Sequence, residues 1–389
     1  MKRACAICGS IRKDKIHTQK YLLPGKRNLI AYDVVACRRC GFLFADNIPA
    51  QRDYDRYYKS SAKYTYNKNV PNGLQKIYQD IYAIAERLIK KNNPSLTGKK
   101  IAILDVGCSI GSFLNMFKEH GFRYLTGIEP SANCSRLAME LYGIEVFPGL
   151  LSEYKPDHKF DFIVMTGVLE HIADFDKVLP YVSQLLADSG MLMIVVPDAE
   201  RFSARPRSPF DEFSIEHINY FTRTSLSNLM KKYDFINSFS KSLKATFYDS
   251  RCLVSFYKKS AEPGPWKKDG NGVIKMRNYI GACNGKLDWL DEKLERFIRS
   301  RQNLIVWGVG SLTYRLLATT NLSKVKISAF VDSNKSLQGK KVRNVRIDSP
   351  DYFSHITAGT VFVASHIYGR EIERILKNQY QFTGAVIRI

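Results

Sequence analysis

The chain has 389 residues, 45% of them apolar and 25% charged, which is long enough for two or three domains with proper cores and too apolar for a disordered segment. No stretch approaches the eighteen apolar residues of a membrane span, and the opening MKRACAICGS holds no signal-peptide apolar run, so no membrane span and a cytoplasmic location are expected. The formal net charge of +22 invites a polyanionic partner, yet the lysines and arginines are spread with no run of five or six, the pattern of a solvated basic surface.

Two cysteine pairs come first, Cys5-x2-Cys8 and Cys37-x2-Cys40, while Cys108, Cys134, Cys252 and Cys283 are scattered. Two such knuckles supply four thiolates to a tetrahedral metal, and a short segment of this kind can hardly build a core without a staple. Zinc is the expected metal, structural because a closed four-thiolate site leaves no position for water. Residues 1–60 are therefore read as a zinc-binding domain. Residues 61–98 follow as linker and helix: 51–72 is rich in tyrosine, lysine and asparagine, and Leu74, Ile77, Tyr78, Ile81, Ala85, Leu88 and Ile89 then fall on one face at helical spacing. Tyr64 and Tyr66 lie in the linker, where a side chain can reach over a neighbouring cleft.

Residues 99–245 carry the densest signal. Ile101 to Val106 reads as a buried parallel strand, Asp105-Val-Gly107-Cys-Ser109-Ile-Gly111 as a turn that brings backbone N–H groups close to a ligand, and Tyr124 to Ile128 as a second strand ending in Glu129. A carboxylate at that place can accept both hydroxyls of a ribose. The turn is DxGxSxG and not the GxGxxG of a dinucleotide site, and an acid at its start repels phosphate but suits a cationic ligand. The segment resembles the class I S-adenosylmethionine-dependent methyltransferases, an α/β Rossmann-like fold. The resemblance implies S-adenosylmethionine as cofactor, with Asp105, Gly107, Ser109 and Gly111 as its loop and Glu129 as its ribose acid. Phe160 to Met165 and Met191 to Val196 stand where that fold places its fourth and fifth strands; Thr166 and His171 then sit at the carboxyl edge, where open α/β sheets bind ligands.

Beyond the fifth strand, PFDEFSIEHINYF (209–221) holds the adjacent pair Glu216 and His217, and an imidazole held by a carboxylate is a general base near neutral pH. Residues 246–389 are read as a charged helical connector followed by a second Rossmann-like module. Its strands are Asn303 to Trp307, Val325 to Asp332 and Thr360 to Ser365, with Gly308-Val-Gly310 as a nucleotide-type turn that lacks a third glycine.

The order of knuckles, DxGxSxG core, EHxxYF block and C-terminal module resembles the three-domain sugar C-methyltransferases that act on nucleotide-linked ketosugars. The resemblance implies His217 as base, Glu216 as its partner, His171 as assistant and Tyr66, or Tyr64, as a further assistant, with a nucleotide-sugar substrate held partly by the C-terminal module. Proton removal beside a ketone gives an enolate, the nucleophile for methyl transfer. A sugar O-methyltransferase would use the same His217 on a hydroxyl. RNA methylation is a further reading of zinc knuckle and basic charge, but Thr166-Gly-Val-Leu stands where an adenine N6 enzyme has an NPPY-like tetrad.

Overall fold

The computed structural model describes residues 2–22, 29–60, 72–92, 100–202, 206–245 and 250–389. Tyr64 and Tyr66 lie outside the described residues. Contacts divide the chain into two compact units, the first of Met1–Ile16, Val34–Phe202 and Ser214–Met276, the second of His17–Asp33, Ser203–Phe213 and Arg277–Ile389.

Strands β1 (Lys13–Leu22), β2 (Leu29–Cys37) and β3 (Leu43–Asp46) precede helices α1 (Gln51–Ser60) and α2 (Asn72–Asn92). Helix α1 is a correction: it occupies part of the stretch read as linker. The sequence from Gln51 to Val70 holds no glycine or proline, and Gln51, Tyr54 and Tyr58 recur at helical spacing with Tyr54 buried, so composition misled where periodicity did not. In α2, Ile77, Ile81, Ala85 and Ile89 are buried as their stripe predicts.

The central fold runs β4 (Ala102–Val106), α3 (Ser112–Glu119), β5 (Tyr124–Ile128), α4 (Ala132–Tyr142), β6 (Val146–Phe147), β7 (Phe160–Thr166), α5 (Phe175–Leu185), β8 (Leu186–Pro197), β9 (Asn219–Tyr220), α6 (Arg223–Lys231), β10 (Phe235–Ala245) and β11 (Ser250–Lys259). Seven of these strands form a sheet in the order β10-β11-β8-β7-β4-β5-β6. It is parallel from β8 to β6, and β11 is inserted antiparallel to both neighbours. This is a Rossmann-like α/β sheet. The expected end of the core at residue 245 is corrected to the end of β11, because a hairpin partner inserted next to β8 cannot belong to another domain.

Both sheet faces are covered, as parallel strands require. On one face Ile81 and Ala85 of α2 and Phe113 and Phe117 of α3 pack on Ile103, Phe162 and Met193. On the other, Leu179 and Val182 of α5 and Leu226 and Leu229 of α6 join one core with Leu104, Ile163, Ile194, Cys5, Ile7 and Phe42. The cysteine segment therefore is not the separate domain 1–60 that was expected; its few apolar side chains are too little to bury alone and share the core of the large sheet. A small sheet has the order β1-β2-β3-β9, with Leu43 opposite Tyr220 and Phe44 opposite Asn219.

After the connector α7 (Gly270–Ser300) come β12 (Leu304–Trp307), α8 (Ser311–Thr319), β13 (Ile327–Val331), β14 (Lys341–Val342), β15 (Val345–Asp348), β16 (Thr360–Val363), α9 (Gly369–Asn378) and β17 (Ala385–Arg388). Their sheet has the order β14-β15-β13-β12-β16-β17, parallel except for β14. Trp307 stacks on Phe353 at 5.1 Å in its core. Here β12, β13 and β16 match the sequence reading, whereas β14, β15 and β17 were not anticipated; each is short and half-exposed, without a clean period. No helix among the described residues is long and apolar enough to cross a membrane.

Candidate active site

Strand β4 delivers Asp105, 2% exposed, to the carboxyl edge of the sheet, and the chain then turns on Gly107 (φ 76°), Ser109 (φ 52°) and Gly111 (φ 77°). Glycine is required at 107, where a Cβ would lie 2.7 Å from Val168 Cγ2. Ser109 has a Cβ in the same left-handed region, at a cost of about 1–2 kcal/mol. The turn is tied to β5: the N–H groups of Gly107 and Cys108 donate to Ile128 O at 2.7 and 3.1 Å. Glu129 accepts from the Ser109 and Ser131 N–H groups at 3.0 and 2.9 Å.

A cavity of about 720 Å³ opens beside these groups, lined by Asp105, Gly107, Glu129 and, on other elements, Tyr58, Thr166 and His171. Burial, and then the charge of Glu129, push the Asp105 carboxyl well above its usual range. Burial also raises Glu129, against the pull of its two N–H partners. The hydroxyls of Ser109 and Thr166 are buried with no hydrogen-bond partner among the described residues. Two acids short of a counter-charge and two orphaned hydroxyls fit a ligand with a cationic end and several polar groups.

At the end of β7, His171 follows Glu170 in a single tight turn. His171 Nδ1 lies 2.9 Å from the backbone carbonyl of Glu216, and its ring stands edge-on to that of His217 with centroids 5.0 Å apart. The N–H groups of Glu216 and His217 both donate to Ser214 Oγ, at 3.2 and 2.9 Å. Glu216, expected as the partner of His217, is buried and brings its backbone carbonyl to His171 Nδ1. The carboxyl that groups with both imidazoles is Glu170, 3% exposed, with Oε1 4.0 Å from His171 Nε2.

Sequence reasoning missed two residues here. Glu170 was hidden in VLEHI, read as generic wording, although a carboxyl adjacent to a histidine at a strand end was visible. Tyr58 stands edge-on to His171 at 5.8 Å and lines the cavity, and it was passed over because α1 was not recognised.

Elsewhere in the first unit, Cys5 Sγ lies 3.4 Å from Cys40 Sγ and Cys8 Sγ 3.5 Å from Cys37 Sγ, with all four sulfurs within 4.8 Å of one another. The knuckles have the same local design. Gly9 N–H donates to Cys5 O and Gly41 N–H to Cys37 O, both at 2.9 Å, and both glycines have positive φ. In the C-terminal module the Val309 N–H donates to Asp332 Oδ2 at 2.7 Å, repeating the bond between Ser109 and Glu129.

Comparison with known proteins agrees with this geometry. Residues 75–237 match the family described as a methyltransferase domain, and residues 300–382 the one described as C2185-like, N-terminal. The middle of the chain is therefore a methyltransferase domain, built on a Rossmann-like α/β sheet. The chain is similar to the C-methyltransferase NovU of Streptomyces niveus, 25% identical over 215 residues, 54% of this chain and 47% of that protein. It is also similar to the uncharacterized protein MJ0638 of Methanocaldococcus jannaschii, 29% identical over 119 residues, 31% of this chain and 50% of that one. The chain thus spans about half the length of these curated relatives. Among solved structures, the 1,6-didemethyltoxoflavin N1-methyltransferase of Burkholderia thailandensis aligns with 17% identity and a TM-score of 0.39, covering 62% of this chain and 99% of that one.

Proposed function

We propose that the protein uses S-adenosylmethionine to C-methylate a nucleotide-linked ketosugar in the cytoplasm, with His217 as the base. The observation that carries this reading is the edge-on pair of His217 and His171 next to the cavity that Asp105 and Glu129 line. Similarity to a C-methyltransferase and a net charge of +22, suited to an anionic diphosphate substrate, support it.

When bound, S-adenosylmethionine supplies an electrophilic methyl group. Glu129 would accept its ribose hydroxyls and Asp105 would face its cationic amino-acid end, while Ser109 and Thr166 would gain the hydrogen-bond partners they lack. His217 removes a proton beside the ketone, and His171 hydrogen-bonds the oxygen that becomes negative. Tyr58 fills the cavity wall and keeps water from that oxygen; Tyr66 is assigned an assisting role by family resemblance alone. A hydroxyl acceptor in place of the carbon acid would need the same His217, so O-methylation is the competing reading.

Zinc belongs to this proposal. Four thiolates at about 2.3 Å from a tetrahedral zinc lie about 3.8 Å apart, close to the two sulfur separations given above. Cys5, Cys8, Cys37 and Cys40 would hold it as a closed structural site.

The test is solvent exchange. With S-adenosylhomocysteine bound and a panel of thymidine-, cytidine- and guanosine-diphosphate ketosugars, the wild type should wash deuterium into the carbon beside the ketone, and His217→Ala should abolish this while binding S-adenosylhomocysteine normally. Exchange that persists in His217→Ala moves the base elsewhere. Methyl transfer to a hydroxyl without exchange replaces C- by O-methylation.

A further inference from the structure

A buried carboxyl sits under the two histidines without a settled role. Glu170 Oε2 is buried and makes no hydrogen bond among the described residues, and Oε1 is 4.0 Å from His171 Nε2, within ion-pair reach. Its own backbone is fixed, because Glu170 O accepts from the Ile218 N–H at 2.8 Å. His171 Nδ1 faces only an acceptor, the Glu216 carbonyl, so Nδ1 carries the hydrogen and the lone pair is on Nε2, the nitrogen nearest Glu170. The His217 imidazole completes the group, its donor atom within 4.8 Å of the other two.

We propose that Glu170 is the positioning residue of the site: one proton is shared between its buried carboxyl and Nε2 of His171, and that proton sets the charge beside His217. This deepens the enolate reading of the site. The step balances within the pair. With the proton on Glu170, carboxylic acid and imidazole are both neutral; when it crosses to Nε2, carboxylate and imidazolium appear together, and no net charge enters or leaves the buried region. A lone imidazolium or lone carboxylate there would carry the full desolvation cost. The pair can therefore place a cation next to a developing oxyanion and take it back afterwards. Burial holds the Glu170 carboxyl above its usual range, which favours the protonated form, and the charge of His171 opposes this. Among the described residues, the other titratable side chains with a ring against His171 are His217 on the loop before β9 and Tyr58 on α1, while Glu216 meets it through its backbone carbonyl.

Ring-nitrogen NMR of the full chain, labelled with nitrogen-15 at histidine, tests this without any methyl acceptor. In the wild type at neutral pH the His171 Nε2 shift should lie between the protonated and unprotonated limits. Glu170→Gln should move it to the unprotonated limit, because an amide has no proton to give to Nε2. Glu170→Asp, which keeps the carboxyl but shortens its reach, should lie between wild type and Glu170→Gln. S-adenosylhomocysteine affinity within about twofold of wild type certifies the fold of each variant. Wild-type and Glu170→Gln spectra with the same His171 shift would overturn the proposal, and so would a Glu170→Asp shift outside the interval between them. If Glu170→Gln does not fold, Glu170→Asp against wild type decides alone. A wild type that shows no deuterium exchange defeats the enolate reading and leaves the ring shifts as they are, so the two failures are distinct.

Discussion

Glu129→Ala removes the acid at the end of β5 and should weaken S-adenosylhomocysteine binding. A hydrogen bond to a charged group contributes about 1.5–3 kcal/mol, and 1.4 kcal/mol is tenfold in affinity, so the loss of a single ribose contact predicts roughly ten- to a hundredfold. The structure argues for the upper half of that range. Glu129 also accepts the N–H groups of Ser109 and Ser131, at 3.0 and 2.9 Å, and alanine strands both against the ligand. In the ligand-free protein these N–H groups can turn to cavity water, so melting temperature should change much less than affinity. Glu129→Gln keeps one acceptor oxygen and should fall between. The assay is isothermal calorimetry at neutral pH with each variant. Affinity for Glu129→Ala within twofold of wild type, in a protein of normal melting temperature, would refute the assignment of this cavity to the cofactor.

Protein purified without chelator should contain about one zinc per chain by elemental analysis, and Cys37→Ser should lower both zinc content and melting temperature with S-adenosylhomocysteine affinity intact; a wild type free of zinc would refute the metal. Glu170 also predicts a pH effect. Its native-state pKa is raised above the ordinary 4.5, so the native state binds its proton more tightly than the unfolded chain, and the resulting stability is fully present below that value and lost as pH rises through the native one. Glu170→Gln removes this loss, so its melting temperature minus that of wild type should grow as pH rises above the ordinary 4.5; a difference that stays constant would show that Glu170 is not held protonated.

What was legible in the sequence were features with a short period or a fixed local geometry. The DxGxSxG turn needs positive φ at Gly107 and Gly111, and the structure has it there. The buried strand Phe160–Thr166 and the strand Tyr124–Ile128, buried at its Gly127–Ile128 end, lie where apolar runs placed them. What was not legible depends on distant pairing. Nothing local to Ser250–Lys259 says that this strand inserts beside β8, and nothing local to Cys5 or Phe42 says that they share a core with Ile194. For the same reason Glu170, adjacent to His171 along the chain, could not be seen to lie within reach of His217, 47 positions away.

Asn219 shows how such a site is assembled from segments far apart in sequence. Arg3 is buried, and burial lowers its pKa to about 10, so the guanidinium is still charged at neutral pH and must satisfy its hydrogens. It donates to Ala45 O at 3.1 Å, to Ile218 O at 3.0 Å and to Asn219 Oδ1 at 2.8 Å. The other end of that amide, Nδ2, donates to Leu169 O at 3.1 Å and Ile172 O at 2.7 Å, the carbonyls on either side of Glu170 and His171. One side chain therefore has to offer an acceptor to a cation and donors to carbonyls at the same time. Aspartate would satisfy Arg3 but set a carboxylate against the two carbonyl oxygens, and leucine would remove the Asn219 bonds to Arg3, Leu169 O and Ile172 O together. Only an amide meets both demands at this reach, and strand β9, two residues long, is long enough because its task is to hold that amide and present His217 beside His171.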